Sequence, residues 1–98
     1  MDLEQFESSL GGKAPPRGAG GLLQALWHDA HGDWARAHEL AQKESSRMGA
    51  AVHAYLHRKE GDLSNADYWY QRAARTRPAT RLATEWNALV RELLESAK

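Results

Sequence analysis

The chain has no cysteine among its 98 residues. That excludes disulfides, thiolate metal ligands and cysteine nucleophiles, and it fits a reducing compartment. No stretch approaches the ~20 apolar residues that span a bilayer. The acidic start, Met1-Asp2-Leu3-Glu4, lacks the apolar run of a secretory signal. The expected location is therefore cytoplasmic, with no membrane partner. Neither sign of charge is in excess, with 13 basic and 13 acidic residues. Domains that grip nucleic acid carry a basic surplus, so nucleic acid is not an expected partner. No segment alternates at period two for long enough to form a strand.

Helical periodicity fills most of what remains. Residues 1–10 place Leu3, Phe6 and Leu10 at helical spacing. Residues 11–21 then hold five glycines and two prolines, which break a helix. This divides the chain into an N-terminal arm and linker, 1–21, and a helical domain, 22–98. The arm is expected to be mobile or loosely docked. In the domain, Leu22, Leu23, Leu26 and Trp27 form an apolar stripe that ends at Gly32. Asp33 offers an N-cap, and Trp34, Ala37, His38 and Ala41 carry the next inner face. Ser46 caps a third helix through Val52, Tyr55 and Leu56 to Gly61. Asp62 opens a fourth, with Leu63, Ala66, Trp69, Tyr70 and Ala73, which Pro78 closes. Thr80 can cap a last helix over 80–97, where Leu82, Trp86, Leu89, Val90, Leu93 and Leu94 recur at three- and four-residue steps.

The centre repeats. Ala25, His28, Gly32, Asp33, Ala37 and Gln42 return as Ala54, His57, Gly61, Asp62, Ala66 and Gln71 at a constant offset of 29 residues. A glycine closes one helix in the left-handed conformation and an aspartate opens the next. The small alanines let the two helices of each unit approach closely.

On these residues the second unit resembles a tetratricopeptide repeat. Ala54 stands as the small residue of its first helix and Gly61-Asp62 as its turn, and Ala66, Tyr70, Ala73 and Pro78 follow at the family spacing. The likeness covers roughly residues 48–78, and 19–44 more weakly. The period is 29 rather than the family's ~34. His28 and His57 stand where tyrosine is common. The expected fold is all-α, a tetratricopeptide-like array of two α–α hairpins plus a C-terminal capping helix. The resemblance also implies a concave face lined by the first helix of each hairpin. Leu22, Leu26 and Asp29 would line it in the first, and Ala51, Tyr55, Arg58 and Lys59 in the second.

Of these, Leu26, Asp29, Tyr55, Arg58 and Lys59, together with Trp69, are the expected partner-binding set. Arg58 and Lys59 would pair with carboxylates of an extended peptide, and Tyr55 would supply apolar area. The bland alternative makes Arg58 and Lys59 a solvated helix end near Glu60. Trp69 sits between Tyr68 and Tyr70. Neighbours on a helix point about 100° apart, so at least one of the three is expected to be exposed, offering a further interface or a homodimer contact. Arg81 is expected to pair with Glu85 one turn on.

Five histidines remain. His53 and His57 lie four apart on one helix face, half a metal site by spacing. His28, at the matching place in the first unit, completes a candidate set of His28, His53 and His57. The ordinary alternative is that these are packed, hydrogen-bonded interior groups. Neither a zinc-protease motif nor a phosphate loop is present, so neither catalytic residues nor a cofactor are expected. The function expected from sequence is a non-catalytic interaction module for a peptide or helix of an unknown protein. The rivals are a histidine-based metal protein, including a small metal-dependent hydrolase, and a self-associating structural protein.

Overall fold

The computed structural model describes residues 1–96. It holds six helices: α1 (Leu3–Ser9), α2 (Gly21–Ala30), α3 (Trp34–Gln42), α4 (Arg47–Glu60), α5 (Leu63–Arg72) and α6 (Leu82–Ser96). The described residues contain no strand, and none of their helices is long and apolar enough to cross a membrane. The final helix, expected over 80–97, begins at Leu82 rather than after a Thr80 cap, and position 97 lies outside the described residues.

The corners form as their chemistry dictates. Gly32 and Gly61 adopt left-handed backbone, with φ of 81° and 90°. Asp33 accepts from the Arg36 amide and Asp62 from the Asn65 amide, which satisfies free donors at the start of α3 and of α5. Ser46 caps α4 through the Gly49 amide in the same way. Each corner turns the chain so that α2 packs along α3 and α4 along α5, while α3 packs on α4. Ala25, Ala37, Ala54 and Ala66 are all fully buried, as close helix packing requires.

Three tryptophans tie helices together through their indole N–H groups, which seek a partner when buried. Trp27 donates to the Ser9 carbonyl at the end of α1, Trp34 to the Leu56 carbonyl of α4, and Trp86 of α6 to the Leu26 carbonyl of α2. Helix α6 lies against α2 and α4 and touches α1. It does not simply close off the second helix pair. It covers the side that the leading helices of both pairs share.

The N-terminal arm is docked. A reciprocal cap between Asp2 and Gln5 starts α1. Phe6 is completely buried, with its ring 6.0 Å from that of Trp86. Ala19, inside the glycine-rich linker, is also buried, and its carbonyl accepts from the Gln24 amide group at 2.7 Å. Helix α1 is therefore part of the core that seats α6. Phe6→Ala should lower the unfolding free energy by roughly 3–5 kcal/mol, the range for a buried aromatic. Urea denaturation would measure this, and a loss under about 1 kcal/mol would mean that α1 is an ornament.

Candidate functional site

The residues expected to face a partner lie mostly inside the protein. Leu26 is fully buried beneath α6, and Asp29 and Tyr55 are buried beside it. The Asp29 carboxylate accepts from the Tyr55 hydroxyl at 2.8 Å and from the Lys59 ammonium at 2.8 Å. One step along α4, Arg58 repeats the pattern with Glu85 of α6. Glu85 accepts from Arg58 at 2.8 Å and from the Tyr70 hydroxyl at 2.5 Å. Arg58 also donates to the Thr80 carbonyl. Arg58 and Lys59 thus pair with this chain's own carboxylates rather than with a peptide's, and Glu85 takes Arg58 instead of the expected Arg81. Burial raises the Tyr55 phenol far above its ordinary range, and the neighbouring Asp29 charge adds to it. Tyr70 is raised likewise by burial and by its bond to Glu85.

The shared face of α2 and α4 is thus occupied by α6, except at one end. There an open cleft of about 340 Å³ remains, between the end of α2 and the start of α6. Its walls are Leu10, Ala30, Leu82, Ala83, Trp86 and Asn87, and Asp29, Tyr55 and Lys59 reach it from within. Lys59 keeps 38% of its side chain exposed at the lip.

Among the three consecutive aromatics, Tyr70 is buried and Tyr68 is half exposed, as helical geometry demands. Trp69 is partly covered. It stacks on His53, with centroids 4.0 Å apart and planes 15° apart, and the Arg72 guanidinium lies 5.3 Å from its ring. Tyr68 accepts a hydrogen bond from Arg72 at 3.2 Å.

That stack leads into a histidine cluster. His53 and His57 lie one turn apart on α4, and His38 meets them from α3. The nearest nitrogens, His38 Nε2 and His53 Nε2, are 3.0 Å apart. Ring centroids are separated by 4.6 Å for His38–His53, 4.8 Å for His53–His57 and 5.2 Å for His38–His57. Trp34 stacks on the outer side of the cluster against His38 at 4.8 Å. His57 Nδ1 sits 2.6 Å from a Glu60 carboxylate oxygen, and Asn65 Nδ2 lies 3.4 Å from His57 Nε2. Each of the three histidines offers a ligand nitrogen within 4.8 Å of the others; His57, Glu60 and Asp62 form a second, more exposed group within the same span.

His28 is not among them. It rests edge-on against Trp27, on which the ring of His31 also stacks at 3.8 Å. The reason is the helix order: α3, not α2, flanks the His53 side of α4. His38, read from sequence only as part of an inner face, takes the place expected of His28. The signal was available in two i, i+4 pairs, Trp34/His38 and His53/His57, on neighbouring helices.

Burial lowers His53 to about 4, with repulsion from His38 and His57 adding to it. His38 is also lowered, first by burial and then by His57, against an opposing pull from Glu60. Both rings are neutral at neutral pH, and a neutral imidazole can accept a hydrogen bond or ligate a metal. No family model, curated protein or solved structure matches the chain.

The His53 shift has a thermodynamic consequence. Its folded pKa lies below the unfolded 6.5, so below that pH the unfolded chain takes up a proton that the folded one does not. This contribution to stability is complete above pH 6.5 and is lost as the pH falls toward 4. With chelator present, acidifying from pH 7 to 4.5 should remove roughly 2–3 kcal/mol through this residue. His53→Asn should flatten that part of the pH profile in urea titrations; parallel profiles would refute the assignment.

Proposed function

We propose that the chain is a non-catalytic binding module of the tetratricopeptide-like kind, taking a peptide or the end of a partner helix. The repeated Gly-Asp corners, the buried alanines and the shared side of α2 and α4 support the hairpin reading. The seat of α6 supports the binding reading, because an amphipathic helix already rests on that face through apolar side chains, the Arg58–Glu85 ion pair and the Trp86 indole bond to the Leu26 carbonyl.

The observation that carries the proposal is the cleft left open beside α6. Apolar walls from Leu10, Leu82 and Trp86 receive an apolar partner side chain, while Lys59 at the lip stays paired with Asp29. Of the residues expected from sequence, Asp29, Tyr55 and Lys59 line this cleft, Leu26 is buried beneath α6 and accepts from Trp86, and Arg58 fastens α6. Trp69 belongs to the opposite side of α4. A cytoplasmic location accords with this reading and with the absence of cysteine.

The test must leave the buried ion pairs intact, since reversing Arg58 would put two carboxylates together. Ala83 is exposed on the rim of the cleft. Ala83→Trp should fill the opening while the thermal midpoint stays within a few degrees. Affinity capture from a native lysate should then lose its partner at least tenfold, about 1.4 kcal/mol. Capture equal to that of the unsubstituted protein would discard the cleft as the binding site.

A further inference from the structure

We propose that His38, His53 and His57 form a binding site for a divalent transition metal, with zinc the ion best suited to their chemistry. The site is distinct from the cleft beside α6. It draws its ligands from the opposite side of α4 and from α3.

Three features of the cluster point to a metal rather than to core packing alone. The first is the separation of the nitrogens. Zinc–imidazole bonds of 2.0–2.1 Å in tetrahedral geometry place two ligand nitrogens roughly 3.3 Å apart. His38 Nε2 and His53 Nε2 stand at 3.0 Å, and small ring rotations bring the third nitrogen in from within its 4.8 Å span.

The second is the bond on the far side of His57. A carboxylate is an acceptor, so Glu60 at 2.6 Å holds the His57 proton on Nδ1 and leaves a lone pair on Nε2, which an ion would take over from the Asn65 amide at 3.4 Å. Carboxylates behind ligating imidazoles do this in zinc sites, where they fix the tautomer and the ring orientation.

The third is rigidity and access. Trp34 stacks on His38 and Trp69 on His53, which holds both ring planes. His53 also borders a cleft of about 210 Å³ beneath the α3–α4 connection, with Gln42 on its wall. Gln42 lies one turn beyond His38. The cleft offers an ion a way in, and a fourth coordination position there falls to water or to the Gln42 carbonyl.

The proton accounting is simple. In the structure, one of the two facing Nε2 atoms donates to the other. Binding a metal requires that proton to move to Nδ1 of the same ring, so that both Nε2 lone pairs face the ion. That tautomer change itself releases no net proton.

The experiment uses the full chain without a histidine tag, stripped with chelator and dialysed. Titration with zinc chloride in a calorimeter should show one ion per chain with a Kd on the order of 1 µM or tighter. Cobalt(II) should give the visible bands of a tetrahedral site and should be displaced by zinc. His38→Ala, at a partly exposed position, should weaken zinc binding at least a hundredfold. Glu60→Gln should weaken it tenfold to a hundredfold. The pair of substitutions His28→Ala and His31→Ala, outside the cluster, should leave it unchanged. If His38→Ala fails to fold, as circular dichroism would reveal, the exposed Glu60→Gln and the cobalt spectrum decide the matter. No zinc binding by the unsubstituted chain, zinc affinity that is the same in folded His38→Ala or in Glu60→Gln, or octahedral cobalt would each overturn the site.

Discussion

Two buried carboxylates hold this molecule together in the same way. Glu85 of α6 receives Arg58 on one oxygen and Tyr70 on the other, and Asp29 of α2 receives Lys59 and Tyr55. A carboxylate taken out of water loses its hydration, and only close, fully satisfied partners make that tolerable. Here every oxygen has one, and no buried side-chain nitrogen or oxygen in the described residues lacks a partner. Glu85 also sits in the first turn of α6, where the helix dipole favours a negative charge. The cost of separating Glu85 from Arg58 and Tyr70 is what keeps α6 on the shared face of α2 and α4. Trp86, the next residue, adds its donation to Leu26 and its packing against Phe6.

Helix α4 organises the rest. At about 100° per residue, His53 and His57 fall within roughly 40° of each other, while Tyr55, Arg58 and Lys59 fall on the opposite side. One side meets α3 and α5 through histidines and stacked tryptophans. The other meets α2 and α6 through tyrosine and paired charges. Two chemically different surfaces thus share one helix of 14 residues, and a change to one need not disturb the other. That separation is why the cleft beside α6 and the histidine cluster are independently testable.

Much of the architecture is legible in the sequence because it rests on local rules. The corners at Gly32-Asp33 and Gly61-Asp62, the Ser46 cap and the exposed Tyr68 follow from backbone and helix geometry within a few residues. What the sequence hides is long-range pairing. Arg58 meets Glu85 across 27 positions and Lys59 meets Asp29 across 30, so two cations that read as a free binding surface are in fact spent on the fold. The docking of Phe6 is hidden for a similar reason. Five glycines mark its linker as loose, yet one buried ring against Trp86 outweighs their flexibility. His28 was placed with His53 and His57 by repeat register, whereas the packing of α3 on α4 brings in His38.

If α6 is integral to the fold, it must open only when the whole protein opens. Native-state hydrogen exchange reads this directly. The amides of Leu89 and Val90 in α6 should exchange with the same free energy as those of Val52 and Leu56 in α4. Exchange in α6 that is easier by several kcal/mol, with α4 still protected, would show a detachable helix and contradict the account.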